Sequence, residues 1–275
     1  MVWTKTTRQQ HERMVGRYAS DLTDAEWALI APFLPAASVL GRPRTTSMRA
    51  VMNALLYVLS TGCQWRSVPH DFPPRPPLQR YFYRWRDQGI WGRMNAHLVA
   101  MARQAQGRSM VPSVGIIDSQ SVPTTQSGDP SGLDPAKRIK GRKRHIVTDV
   151  EGFVLMGQVH RADIQDSHGA VSLLQALAAE CPLRHILADR VYRGPKLLGA
   201  VADCGPWIIE IVQRPAGTKG FQLLPRRWVV ERTFAWLGRN RRLAKDYEAT
   251  IASAHAWLMI ACIKLLVRRL DQARN

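Results

Sequence analysis

The fold is decided by two stretches, Val114-Gly115-Ile116-Ile117-Asp118 and Arg184-His185-Ile186-Leu187-Ala188-Asp189, each a short apolar run that ends in an aspartate. Short apolar runs of this kind are typical of buried strands. In open α/β sheets, ligands gather outside the strand ends, so an acid at that position is a candidate site residue. The two stretches therefore predict a sheet that carries Asp118 and Asp189 at the ends of its strands.

The segments around these two strands alternate between strand and helix patterns. Two strand-like runs, 145–150 and 153–159, flank Glu151-Gly152, which is the pattern of a hairpin. Further patterns predict a strand over 207–212 and helices over 170–179, 195–202, 226–246 and 252–269. We therefore predict that residues 111–275 form an α/β domain with a mixed sheet.

The N-terminal part is predicted to be all-α. A polar, basic arm covers residues 1–20, and a capping box at Thr23-Asp24-Ala25-Glu26 predicts the first helix. A second helix is expected over 47–61, and the prolines between Pro69 and Pro77 disfavour a helix until about Leu78. We interpret 21–106 as a helical DNA-binding domain, because helix-turn-helix readers are built from such helices. An ordinary helical domain that only packs would have the same spacing.

Charge points to the partner. The 275 residues include 39 Lys+Arg and 21 Asp+Glu, a net charge of +18. Such a surface attracts polyanions, of which nucleic acid is the commonest in the cytosol, although ribosome-associated and membrane-surface proteins are also basic. The longest strongly apolar stretch, 256–263, is far shorter than the ~20 residues that span a bilayer. We see no signal peptide, and we expect a cytoplasmic, nucleoid-associated protein without a membrane partner.

Cysteine usage excludes two classes of small domain. The four cysteines are scattered and form no C-x-x-C pair, which argues against a zinc ribbon and gives no disulfide framework; they are Cys63, Cys181, Cys204 and Cys262.

A third acid, Glu231, lies in the basic segment Arg226-Arg227-Trp228-Val229-Val230-Glu231-Arg232. Three carboxylates suit phosphodiester cleavage, since two Mg²⁺ ions ~3.5–4 Å apart can activate a nucleophile and stabilise the leaving oxygen. Mg²⁺ prefers oxygen ligands and needs few carboxylates. Taken singly, each acid has an ordinary alternative: a turn or helix cap for Asp118 and Asp189, and a surface ion pair for Glu231.

Five motifs resemble those of the insertion-sequence DDE transposases, specifically the fifth insertion-sequence family and its relative the fourth. The resemblance covers about residues 20–270. The motifs are LTDAEW with YFYRWRDQGIW in the helical part, GIIDSQSV (115–122), KGRKRHIVTD (140–149), LADRVYRG (187–194) and LPRRWVVERTFAWLGRNRRLAKDYE (224–248).

The resemblance implies a ribonuclease H-like catalytic domain that cuts DNA at the terminal inverted repeats of an insertion sequence and joins it to target DNA. It places Asp118, Asp189 and Glu231 at the family's catalytic and metal-binding positions, with Asp118 bridging two Mg²⁺ ions; Mn²⁺ is an expected substitute. It also implies a homodimer or larger assembly on double-stranded DNA, because two DNA ends are handled together.

The sequence departs from the family pattern at three positions. Leu224 stands where relatives have Tyr, Gly238 stands where they have Lys, and Val191 precedes Tyr192 where many have Gly. These departures keep open an alternative function, a catalytically inactive DNA-binding repressor or remnant. A ribonuclease H-like nuclease unrelated to transposition is a third reading.

The expected DNA contacts are basic residues near the three acids. The segment 137–144 carries six cations in eight residues and is predicted to bind phosphate, although charge runs are usually solvated loops. Arg227 lies four residues before Glu231 on one helix face and is expected to hold a phosphate. Trp228 and Trp236 are expected to be core residues. The predicted contacts are Arg227, Arg241, Arg242, Lys140, Arg142, Lys143 and Arg144.

Overall fold

The computed structural model describes residues 16–37, 43–125, 130–202, 204–205, 207–212 and 227–273. Several sequence predictions lie outside these ranges. They concern residues 1–15 of the N-terminal arm and, near the glutamate, Leu224 and Arg226.

One mixed sheet of six strands forms the centre of the molecule. Strand β3 pairs with β1 along one edge and with both β2 and β4 along the other, all antiparallel. Strands β5 and β6 then extend the sheet beyond β1 in parallel. The strands are β1 (Val114–Pro123), β2 (Gly132–Asp134), β3 (Ile139–Thr148), β4 (Val154–Arg161), β5 (His185–Ala188) and β6 (Ile208–Ile211).

Nine α-helices are present in the described ranges, four before the sheet and five within or after it. The first four are α1 (Asp24–Ile30), α2 (Met48–Thr61), α3 (Arg75–Asp87) and α4 (Ile90–Ala105). The others are α5 (Asp166–Glu180), α6 (Pro195–Val201), α7 (Trp228–Gly238), α8 (Arg241–Ala244) and α9 (Ile251–Gln272).

The two faces of the sheet are covered by different helices. Because side chains alternate along a strand, Ile117 and Val147 point to one face, where they pack with α5 and α6. Ile116 and Ile146 point to the other face and share a core with α7 and α9. A mixed sheet with helices on both faces is the expected ribonuclease H-like arrangement, and the predicted fold class is confirmed.

The helical N-terminal part and the sheet share one hydrophobic core. Trp257 on α9 stacks on Phe82 of α3 with ring centroids 4.8 Å apart. Arg103 on α4 forms a buried ion pair with Asp149, which follows β3. A boundary between residues 106 and 111 is therefore visible in the sequence, but the two parts of the chain pack against each other across it.

Helix α9 owes its apolar composition to this core. Within the described ranges, α9 is the one helix that is long and apolar enough to cross a membrane, with a mean hydropathy of 1.5 over its most apolar window. That window is 72% buried inside the protein, as expected for a core helix.

The capping box predicted for the first helix is confirmed. Thr23 and Glu26 form the capping box of α1, and Ser47 caps α2. Gly62 ends α2 with a φ of 70°, in the left-handed region that glycine adopts readily.

Four predicted elements are wrong in their extent. Helix α3 begins at Arg75, because Pro76 and Pro77 occupy the first turn, where proline needs no N–H. The helix predicted over 226–246 is two helices, separated where Asn240 is extended. The other two errors concern β1, which continues five residues beyond Asp118 to Pro123, and β3, which includes most of the basic run 137–144.

Candidate active site

Asp118 lies in the middle of β1, opposite Ile146 of β3. One carboxylate oxygen accepts a hydrogen bond of 2.7 Å from the backbone N–H of Ser119. The pKa of Asp118 is raised to about 6, mainly by burial and to a smaller extent by the Asp189 carboxylate, which together outweigh the lowering effect of the Ser119 N–H and the cations of Arg227 and Lys137. The nearby positive charges do not fully offset the cost of burying the Asp118 carboxylate. An additional cation beside this carboxylate would therefore be favourable.

Asp189 follows β5 at the same end of the sheet. Ile116 of β1 and Leu187 of β5 are paired in parallel register, and each aspartate lies two residues beyond this pair. Asp189 also caps a short 3₁₀ turn over Arg190–Tyr192, accepting a hydrogen bond of 2.9 Å from the N–H of Val191. The cap and the parallel pairing fix the aspartate beside Asp118.

Glu231 approaches these aspartates from α7, the helix that covers their face of the sheet. The link is Arg227, whose Nη2 lies 3.5 Å from Asp189 Oδ2 and 3.5 Å from Glu231 Oε1. The two carboxylates can therefore be no farther apart than twice that distance. The structure thus brings all three predicted acids into one electrostatic neighbourhood around a single guanidinium.

The donor set fits a hard divalent cation. All three groups offer carboxylate oxygens, which Mg²⁺ prefers. Among the described residues, no three acidic, histidine or cysteine side chains are yet close enough to hold a metal together, and Arg227 lies between two of the acids. The Glu231 side chain is 58% exposed, so core packing does not fix its position.

Four of the seven predicted DNA contacts are buried among protein partners. Arg142 is 0% exposed, Lys143 4% and Arg144 3%, because the basic run is a central strand with residues on both covered faces. Arg142 is paired with Asp246, Lys143 with Asp166, and Arg144 donates to the Leu243 carbonyl.

Arg242 is the fourth buried cation, held by Glu248 and the carbonyl of Cys63. Arg242 and the three buried cations of β3, which are Arg142, Lys143 and Arg144, thus serve internal packing in this conformation. The prediction that these four side chains contact phosphate is therefore corrected: they are buried against partners within the protein. Lys140 and Arg241 are exposed, and their contact with phosphate stays a prediction.

The tryptophans of α7 are also not core residues. Trp228 is 37% exposed, and Trp236 is half-buried. The guanidinium of Arg232 lies between them, 4.5 and 4.4 Å from the two ring centroids. The expectation of burial is wrong because cation–π packing with arginine, on the helix surface, replaces the core contacts.

Two of the three departures from the family pattern are accommodated. In the described ranges, Arg138 is the one non-glycine residue with a positive φ. Val191 in the 3₁₀ turn therefore does not have a positive φ, and this turn does not require glycine. Gly238 ends α7, and a side chain added there would meet open space.

Sequence reasoning missed a buried polar cluster on the opposite face of β1. Ser119, His145, His160 and Tyr192 are all buried there, behind the two aspartates. A signal was available, because Ser119 and His145 alternate in phase with Ile117 and Val147, which predicts that they face the same helix layer.

Comparisons with known protein families match both the helical part and the sheet domain. A family model described as "Transposase DDE domain" matches residues 109–266, and one described as "Putative transposase of IS4/5 family" matches residues 22–95. The chain is 32% identical over 169 residues to a Burkholderia cepacia protein named "Putative transposase for insertion sequence element IS402", a match covering 58% of this chain and 78% of that protein.

Two shorter relatives add to the picture. One is "Insertion element IS402 uncharacterized 16.2 kDa protein" from the same organism, 29% identical over 124 residues, covering 42% of this chain and 80% of that protein. The other is "Uncharacterized protein y4sN" from Sinorhizobium fredii (strain NBRC 101917 / NGR234), 31% identical over 84 residues, covering 30% of this chain and 65% of that protein.

Proposed function

Because the chain belongs to the DDE transposases of insertion sequences, we propose that Asp118, Asp189 and Glu231 are its catalytic, metal-binding carboxylates. The observation that carries the proposal is the shared Arg227, which holds Asp189 and Glu231 together beside the buried Asp118. We propose that the enzyme cleaves DNA at the terminal inverted repeats of its element and transfers the cut strand to target DNA.

Divalent metal use is general in the family, and we propose two Mg²⁺ ions, with Mn²⁺ as a substitute. Bound at the three carboxylates, such ions would activate the attacking hydroxyl and stabilise the leaving oxygen. The protein's own contribution is to hold two aspartates on adjacent strands and to present an exposed glutamate from a third element. Burial of Asp118 excludes water from one side of the site and strengthens its attraction for a cation.

Arg227 is proposed to exchange partners during the reaction cycle. Before metal binds, its guanidinium offsets the repulsion between Asp189 and Glu231. Once divalent cations neutralise those acids, the same guanidinium is available for a DNA phosphate, with which arginine forms charge-assisted hydrogen bonds.

DNA is the partner implied by the family, and the exposed cations support a specific path for it. Lys140 and Arg241 are exposed at the start of β3 and on α8. In the helical part, a groove beside α3 has a volume of about 870 Å³, and its described lining contains arginines but no carboxylate. Its arginines are Arg44, Arg80 and Arg84.

We propose that this groove contacts the phosphate backbone of the inverted repeat. Arg80 and Arg84 are exposed, one helical turn apart, and neither is paired with an acidic side chain in the described part of the chain. Phosphate contacts fix the register of a protein on a duplex, while base contacts specify the sequence. Since two DNA ends react together, we further propose a homodimer or larger assembly, acting in the cytoplasm on the nucleoid.

The test is a gel assay with a labelled inverted-repeat end and a target duplex. We expect nicking and end joining with Mg²⁺ or Mn²⁺, and loss of both in Asp118→Asn, Asp189→Asn and Glu231→Gln. The alternative of an inactive repressor predicts binding to the same DNA with no cleavage in either metal. Cleavage without joining would instead indicate a nuclease unrelated to transposition.

A further inference from the structure

The polar cluster behind β1 consists of Ser119, His145, His160 and Tyr192, on the sheet face opposite Asp118. His145 is 0% exposed and Tyr192 1% exposed, and the other two are also buried. Ser119 lies directly opposite His145 in the antiparallel pairing of β1 with β3. None of these side chains has a part in the chemistry proposed for the three carboxylates.

Hydrogen bonds within the cluster fix where the protons lie. His160 Nδ1 is 2.7 Å from the carbonyl oxygen of Arg161, which can only accept, so Nδ1 carries the proton. Burial lowers the pKa of both histidines, that of His145 to about 3, and keeps them neutral. His160 Nε2 is then an acceptor, and His145 Nδ1, 2.7 Å away, must donate to it.

This order of protons leaves His145 Nε2 as a bare, buried acceptor. It has no hydrogen-bond partner in the described part of the chain, and the same is true of the Ser119 and Tyr192 hydroxyls. The Tyr192 ring stands edge-on to His145, with centroids 6.0 Å apart. Burial raises the pKa of Tyr192, and its hydroxyl lies near that of Ser119, although the two are outside direct hydrogen-bond geometry. The Ser119 hydroxyl also lies near the Asp166 carboxylate, so the cluster holds two buried acceptors, His145 Nε2 and Asp166.

The cluster is attached to both aspartates through the backbone. Ser119 follows Asp118 on β1, and Tyr192 ends the 3₁₀ turn that Asp189 caps. The cover over the cluster is tight: a Cβ on Gly169 of α5 would lie 2.4 Å from His160 Nε2. The two histidines are therefore held in place by α5, and the Tyr192 ring packs edge-on against the nearer of them, His145.

We propose that Ser119, His145 and Tyr192 form a polar clamp that sets the spacing between Asp118 and Asp189, with Tyr192 as a positioning residue of the active site. The clamp acts on the geometry of the carboxylates and touches neither metal nor DNA. Groups that orient the ligands of a metal change its affinity by roughly 10–100-fold when they are removed. The inference rests on the proposed metal site.

The experiment measures Mn²⁺ affinity of the full chain by isothermal titration calorimetry without DNA. Tyr192→Phe keeps the ring and removes only the hydroxyl, and we expect about tenfold weaker Mn²⁺ binding with little change in melting temperature. Tyr83→Phe, an exposed tyrosine on α3, is the matched control and should bind as the wild type does. Asp118→Ala is the reference variant for the metal site itself.

Two further readouts separate positioning from general stability. If Ser119 and Tyr192 act through one clamp, the double variant Ser119→Ala/Tyr192→Phe loses no more Mn²⁺ affinity than the more affected single variant. In ¹⁵N spectra of the histidines, His145 Nε2 should be an unprotonated imine nitrogen in the wild type, and its chemical shift should change in Tyr192→Phe, because the hydroxyl of the ring that stands edge-on to His145 is removed.

The outcomes are distinct. If Asp118→Ala leaves Mn²⁺ affinity unchanged, the proposed metal site is wrong and the clamp with it. If Asp118→Ala weakens binding but Tyr192→Phe does not, the clamp alone is wrong. Multiplicative losses in the double variant, or a proton on His145 Nε2 in the wild type, would also overturn it.

Discussion

Arg142 and Asp246 form an ion pair that is buried on both sides, with side chains 0% and 1% exposed and Nη1 3.2 Å from Oδ1. The same guanidinium donates to the carbonyl of Glu248 at 2.8 Å. Arg142 therefore fastens the segment between α8 and α9 to the central strand β3. An arginine from the most basic run of the chain is thus a structural residue.

The first prediction concerns the stability that this pair provides. Arg142→Met leaves Asp246 buried without its cation, and removing one partner of a buried pair costs about 3–5 kcal/mol. We expect that loss in the free energy of unfolding, measured by urea denaturation. Lys140→Met, on the same strand but exposed, should cost less than about 0.5 kcal/mol. Equal stability of the two variants would contradict the structural role of Arg142.

The second prediction concerns the exposed cations. Each phosphate contact contributes about 0.9 to the slope of log affinity against log salt concentration. Lys140→Ala and Arg241→Ala should each reduce that slope by about this amount, measured by fluorescence anisotropy with an inverted-repeat duplex. Arg184→Ala, an exposed arginine at the opposite end of β5, is the control for the change in net charge. If Arg184→Ala reduces the slope and neither Lys140→Ala nor Arg241→Ala does, the proposed DNA path past Lys140 and Arg241 is excluded.

The third prediction concerns pH. Burial raises the pKa of Asp118 from 3.8 to about 6, so between these values the folded protein binds a proton that the unfolded chain has released. This contribution to stability is present at low pH and is lost as pH rises through about 6. In EDTA, the free energy of unfolding should fall by up to about 3 kcal/mol more across this window in the wild type than in Asp118→Asn. Parallel pH profiles for the two proteins would refute it.

The fourth prediction concerns Arg227. Its cation occupies the space between Asp189 and Glu231, so a metal ion must overcome its charge and displace it. Arg227→Gln should bind Mn²⁺ more tightly in the absence of DNA, on the order of tenfold, as measured by calorimetry. The same variant should cleave DNA more slowly, because it lacks a phosphate contact. Weaker Mn²⁺ binding would mean that Arg227 organises the carboxylates for the metal.

Much of the fold follows from local signals in the sequence. The capping box at Thr23 and Glu26 and the glycine stop at Gly62 depend on contacts within one or two turns, so pattern alone locates them. The strand that precedes Asp189 was predicted for a similar reason, since its apolar run is short and continuous. Local signals were sufficient wherever the deciding contacts are close along the chain.

The basic strand β3 shows where such signals fail. A run of arginines and lysines predicts a solvated segment unless its partners are known, and here Asp246 lies 104 positions away from Arg142. Likewise, the break between α7 and α8 depends on Asn240, whose amide oxygen accepts a hydrogen bond from Lys264 of α9. The three acids were predicted as site residues because acidic side chains are scarce in so basic a chain, whereas the buried cations look like surface residues until the fold is known.

The common core of α3 and α9 has a consequence for synthesis on the ribosome. The N-terminal helices are made first, whereas Trp257, which covers Phe82, is made long after them. A nascent chain must therefore carry exposed aromatic surface on its early helices until α9 has been translated. Helix α3, which carries Arg80 and Arg84 as well as Phe82, completes its packing only when α9 is in place.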